Sequence, residues 1–131
     1  MDARPPGDEK ALQALDAYNP VYKLNAEGRV TDLILQGKHV LPSVMLEVGK
    51  LTALERLNLV SASLTDDSLM HLRGLTHLKA LRLGSTPIGD KGLVHLENLQ
   101  ELRHVYVPNT MVTSVGAKRL RAALPSATIH E

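Results

Sequence analysis

Six histidines are the residues of this chain most able to do chemistry. His71 and His95 are 24 residues apart in equivalent surroundings. A stacked pair there would be the start of a zinc site. Zinc, however, takes three or four protein ligands. Glu47 and Arg119 hold the flanking positions of the same series, and the chain has no Cys. No metal site is expected, and the His71/His95 series reads as solvated surface. His39 follows the loop "LQG", and His104 stands two residues from Tyr106. Ser, Asp and His all occur, but no nucleophile elbow unites them. "GSTPIGDKG" lacks the G-K-[ST] of a phosphate loop. With no convergent acid, base and nucleophile, neither catalysis nor a cofactor is expected.

Binding chemistry is better represented. One series at intervals of 24 residues reads Ile34, Asn58, Arg82, Tyr106. Beside it run Thr31, Glu55, Lys79, Arg103 and Asp32, Arg56, Ala80, His104. Arg and Tyr are enriched at binding hot spots. The acidic members fall early and most of the basic ones late, so an acidic partner would be steered to the later end. The candidate protein-binding residues are Arg56, Asn58, Lys79, Arg82, Arg103, His104 and Tyr106.

What positions these residues is a repeat. Shifting the sequence by 24 residues aligns Val30, Leu54, Leu78 and Leu102, and then Leu33, Leu57, Leu81 and Val105. Leu35, Leu59, Leu83 and Val107 follow, then Val40, Leu64, Ile88 and Val112. The remaining columns are Met45, Leu69, Leu93, Ala117; Val48, Leu72, Leu96, Leu120; and Leu51, Leu75, Leu99, Ala123. Every column is apolar throughout. Each unit opens with apolar residues two apart, the mark of a strand buried on one face. It closes with apolar residues three apart, which suits one side of a short helix. Asp66, Asp90 and Ser114 precede the helices as candidate N-caps, with Pro42 in that place in the first unit. Gly74 and Asn98, with Gly49 one place earlier in its own unit, stand where a helix ends and a left-handed residue is useful.

The pattern L-x-x-L-x-L-x-x-x-x-I-x-D-x-G-L-x-x-L-x-x-L resembles that of leucine-rich repeat proteins. It is most similar to the short bacterial GALA-like and cysteine-containing-like classes. "TPIGDKGLVHL" carries the closest match. The second unit departs with Ser68 in place of Gly, the first with "VLPSVML", and the fourth with Ser114 in place of Asp. The resemblance implies an α/β fold: a short right-handed solenoid with a concave parallel sheet and convex helices. It says little about function, because the matched positions are core. Stacking repeats argues the same architecture, since one unit cannot bury its leucines alone.

The expected organisation is a disordered tail over 1–7, and a helix and strand cap over 8–29. Four repeats follow at 30–53, 54–77, 78–101 and 102–125, then a partial fifth repeat at 126–131. In the cap, "DEKALQALDAY" puts Ala11, Leu12, Leu15 and Tyr18 on one stripe, with Asp8 as candidate cap. "NAEG" reads as a hairpin turn. Ile129 falls in the Leu33 column.

Composition narrows the function. Fifteen basic and 14 acidic residues leave a net charge of +1, which gives no pull toward nucleic acid or anionic membrane. No apolar run reaches spanning length, and "MDARPPGDEK" is not a secretory signal. A cytoplasmic, non-enzymatic module binding a protein or peptide through its concave face is expected. A piece of a longer chain would read the same way. The alternative is an adaptor or regulatory subunit that docks, or pairs as a homodimer, through an exposed C-terminal edge.

Overall fold

A computed structural model describes residues 6–131, with side chains from Asp8 onward. Of the tail expected over 1–7, residues 1–5 lie outside the described residues, and Pro6 and Gly7 open the first helix. The six strands are β1 (Val21–Leu24), β2 (Val30–Ile34), β3 (Arg56–Asn58), β4 (Ala80–Arg82), β5 (His104–Tyr106) and β6 (Thr128–His130). The helices are α1 (Pro6–Leu15), α2 (Met45–Val48), α3 (Asp90–Leu93) and α4 (Ser114–Ala123). The strands form one sheet in chain order, with β1 antiparallel to β2 and every other pair parallel. The register is the sequence period itself: Leu33, Leu57, Leu81, Val105 and Ile129 are successive partners.

Of the seven apolar columns, all members are buried except Val112 and Ala123 in the last repeat. Ala123 is replaced by its neighbour. The second repeat runs as a 3₁₀ helix over Asp67–Leu72, and the third as α3 followed by a 3₁₀ turn, Val94–Leu96. Three residues per turn stacks leucines spaced by three, such as Leu93 and Leu96, on one side. In the fourth repeat the 10-residue α4 turns every 3.6 residues, so Ala117 and Leu120 are followed inward by Leu124. Gly74, Asn98 and Gly49 do not take left-handed backbone. That conformation recurs just after the strands, at Gly37, Ser61, Ser85 and Asn109, one per repeat. The N–H groups of Gly37, Ser61 and Ser85 each donate to a carbonyl of the following repeat.

At the N-terminal end, Ala11 and Leu15 of α1 are buried, and Leu12 and Tyr18 pack partly against the core. Asp8 is not an N-cap, because the helix already begins at Pro6. Its buried carboxylate accepts the Val30 N–H at 2.9 Å and pairs with Arg29 Nε at 3.0 Å, fastening α1 to β2. In the hairpin turn Asn25 Oδ1 accepts from the N–H groups of Glu27 and Arg29.

Asp66 and Asp90 make no cap bond to their own helices. Each reaches forward one repeat. Asp66 Oδ1 accepts the Gly89 N–H at 2.7 Å, and Asp90 Oδ1 accepts the Thr113 N–H at 2.8 Å, with the Thr113 hydroxyl on Oδ2. Gly92 and Gly116 are the seats of these carboxylates. A methyl on Gly92 would lie 2.7 Å from Asp66 Oδ1. One on Gly116 would overlap the Asp90 carboxyl and approach Asp90 Cβ to 2.8 Å, so a rotamer change alone would not clear it. The D-x-G motif is therefore a latch between repeats. Pro42 supplies no carboxylate to the second repeat, and there the glycine position holds Ser68, whose hydroxyl donates to Thr65 O at 2.6 Å.

Gly116→Ala should destabilise the protein by about 1–3 kcal/mol through overpacking, although a helix interior ordinarily favours Ala over Gly. In an Asp90→Gly background, which removes the Cβ as well as the carboxyl, that cost should fall by more than half; urea melts of the four proteins measure it, and equal costs would contradict the latch. The Asp90 pKa is held below the ordinary carboxylate value, first by the Thr113 hydroxyl and then by the Thr113 N–H. A depressed folded pKa stabilises above the unfolded value and loses that stabilisation as pH falls through the folded one. The stability gap between wild type and Asp90→Asn should thus be steady above about pH 5 and close below about pH 4, read from urea melts across that range.

Candidate binding site on the concave face

Residues flanking the buried centre of each strand point away from the core, and the in-register sheet stacks them in two rows. One row reads Asp32, Arg56, Ala80, His104, Thr128 and the other Ile34, Asn58, Arg82, Tyr106, His130. Neighbouring strands lie about 4.8 Å apart, close to the spacing of stacked planar groups. The second row exploits this. The Arg82 guanidinium lies 4.2 Å from the Tyr106 ring centre. On the other side of Tyr106 the His130 ring stacks at 4.2 Å, tilted by 8°. His104 Nδ1 lies 3.1 Å from His130 Nε2 and joins the rows, one imidazole donating and the other accepting. Arg82, Tyr106, His130 and His104 thus form one continuous stack.

The other anticipated residues are placed differently. Arg56 Nη1 pairs with Asp32 at 3.5 Å, and Lys79 Nζ with Glu55 at 3.3 Å. Arg103 Nη1 donates to the carbonyls of Gln100 and Leu102, at 3.0 Å each, so its guanidinium is folded back on its own turn. Asn58 Oδ1 accepts the Val60 N–H at 3.1 Å. Among the described residues Arg82 has no carboxylate partner. The structure therefore brings Arg82, His104 and Tyr106 together and leaves Arg56, Lys79 and Arg103 engaged elsewhere.

His130 was missed in the sequence reading. The signal was present: Ile129 sits in the Leu33 column, which places the next residue in the row of Arg82 and Tyr106. The opposite charges at successive rungs, Asp32 with Arg56 and Glu55 with Lys79, were equally visible as neighbours.

Beside the stack, a groove of about 390 Å³ crosses the sheet toward β1, lined by Val21, Ile34, Asn58, Arg82 and Tyr106 among others. Val21 is 61 % exposed, so the far end of the groove offers aliphatic surface.

The convex histidines do not converge. His95 Nδ1 accepts from Arg73 Nε at 2.9 Å, and its pKa is lowered, first by burial and then by the Arg73 charge. His77 faces Glu101 at 3.1 Å, and His39 stacks near Tyr18. Among the described residues no three His, Asp or Glu side chains are grouped to hold a metal ion. No helix there is long and apolar enough to cross a membrane.

No family model and no curated protein sequence matches the chain. Solved structures do. An internalin (inlF) from Listeria monocytogenes superposes on 66 % of this chain at 24 % identity, with a TM-score of 0.56. An internalin C2 from the same organism covers 63 % at 25 % identity, with a TM-score of 0.50. A leucine-rich repeat protein of Leptospira interrogans covers 66 % at 22 % identity, with a TM-score of 0.52. The chain spans 24 %, 35 % and 21 % of those proteins' lengths. Their likeness bears on the repeat fold and not on the subclass within it. With its 24-residue period, its in-register parallel sheet and these neighbours, the chain has the leucine-rich repeat fold.

Proposed function

We propose that this chain is a non-enzymatic module that binds a protein or peptide through its concave face, centred on Arg82 and Tyr106 and flanked by His104 and His130. The observation that carries the reading is the stack itself. Of the three tyrosines and no Phe or Trp in the chain, one tyrosine stands on the concave sheet, held between a guanidinium and an imidazole. Such a group is rigid before any partner arrives, which lowers the entropy lost on binding. Nothing in the core needs it there. Concave solenoid surfaces are the usual binding surfaces of repeat proteins.

Arg82→Ala combined with Tyr106→Ala should abolish capture of the partner from extracts of the source cell. The far-ultraviolet circular dichroism and the melting transition should stay near wild type, because neither side chain belongs to the buried core. A double mutant that remains folded and captures the same partner normally would place the site elsewhere.

A second reading has its own observation. Among the described residues no strand lies beside the outer edge of β6, and the last repeat leaves Met111 70 % and Val115 74 % exposed. An open edge with apolar surface favours docking or self-association. On this reading, light scattering should show a dimer at high concentration that reverts to monomer in Met111→Lys/Val115→Lys. A monomer at every concentration would remove the homodimer.

A further inference from the structure

The chemistry of the concave face also points to the kind of segment it takes, an inference that rests on the concave-face reading above. We propose that the partner presents an extended segment with an acidic side chain over Arg82 and an aliphatic side chain about three residues away, seated against Ile34 and Val21.

The acidic requirement follows from how the charges on this face are distributed. Arg56 is neutralised by Asp32, Lys79 by Glu55, and Arg103 is turned onto backbone carbonyls. Arg82, and at the far end of the groove Lys23, keep their charges without a carboxylate among the described residues; both are exposed, and only Arg82 is held by an aromatic ring. Tyr106 covers one face of its guanidinium and fixes the plane. A planar guanidinium held by one face presents its N–H fork edge-on, the geometry that pairs with a carboxylate through two parallel hydrogen bonds. The fork of one guanidinium matches one carboxylate.

The aliphatic requirement comes from the other end of the groove. Ile34 and Arg82 share a row and are separated by β3 alone, so they lie about 10 Å apart at the usual strand spacing. An extended chain covers about 3.3 Å per residue, which gives three residues between the two side chains. Val21, on the antiparallel β1, partners Ile34 and extends the same apolar end. Midway stands Asn58, whose Oδ1 is used by Val60 and whose Nδ2 has no partner among the described residues. It is placed to donate to a main-chain carbonyl of the crossing segment, fixing its direction as well as its position.

A random library of displayed 12-residue peptides, panned against the full chain at low salt, tests this. Recovered peptides should carry Asp or Glu two to four positions from Leu, Ile or Val. Synthetic copies should lose about tenfold or more in affinity for Arg82→Gln, as expected for loss of a charge-assisted pair. They should lose several-fold for Val21→Asp and less than about twofold for Arg56→Gln. Peptides without an acidic residue, peptides that require phosphorylation, peptides indifferent to Arg82→Gln, or no recovered peptide at all would overturn the inference. If peptides bind but ignore Arg82→Gln while still responding to Tyr106→Ala and Asn58→Ala, the concave-face reading survives and only the acidic requirement falls. Indifference to all three substitutions removes both.

Discussion

From β2 through β5 each paired side chain on the sheet meets the residue 24 positions later, about 4.8 Å away. In-register parallel pairing imposes that rule, and the rest of the structure depends on it. Leucine stacked on leucine gives a core that needs no aromatic residue. Asp stacked toward Gly gives the latch between repeats. Glu beside Lys and Asp beside Arg give ion pairs along the rim. An arginine, a tyrosine and a histidine stacked in turn give the aromatic ladder. The same geometry that fills the interior organises the surface, so core and candidate site are products of one period.

The apolar columns were legible in the sequence because burial depends on residue type at a fixed interval, and each column is uniform. What was not legible depends on contacts between units rather than within one. Asp66 and Asp90 look like N-caps when a repeat is read alone. Their partners, Gly89 and Thr113, belong to the next repeat. The departure at Ser68 then becomes intelligible, since the preceding unit has Pro42 and no carboxylate to seat. Ala123 gave way to Leu124 because the fourth convex segment is a full α-helix while the second and third are tighter. A spacing of three residues does not by itself distinguish these cases.

The candidate site was legible in part. Arg82, Tyr106 and His104 stood out as concave residues with binding chemistry. The basic residues do not form one patch, because the rung each occupies decides which partner it meets. Resolving the pairs reduces a diffuse basic surface to the Arg82 guanidinium, with the Lys23 ammonium at the far end of the groove. His130 was overlooked because the period was followed to the last apolar residue, Ile129, and not to the polar one beside it. In a repeat protein the polar letters obey the same register as the apolar ones, and they carry whatever specificity the surface has.

The central claim is that recognition occurs on the concave sheet at the Arg82–Tyr106 stack. Its most direct measurement is site-specific photo-cross-linking to the captured partner from a probe at Ala80, on the concave face beside the stack, and from one at Lys118, on the convex helix α4. A strong cross-link is expected from position 80 and none above background from position 118. A partner that cross-links from position 118 and not from position 80 would contradict it.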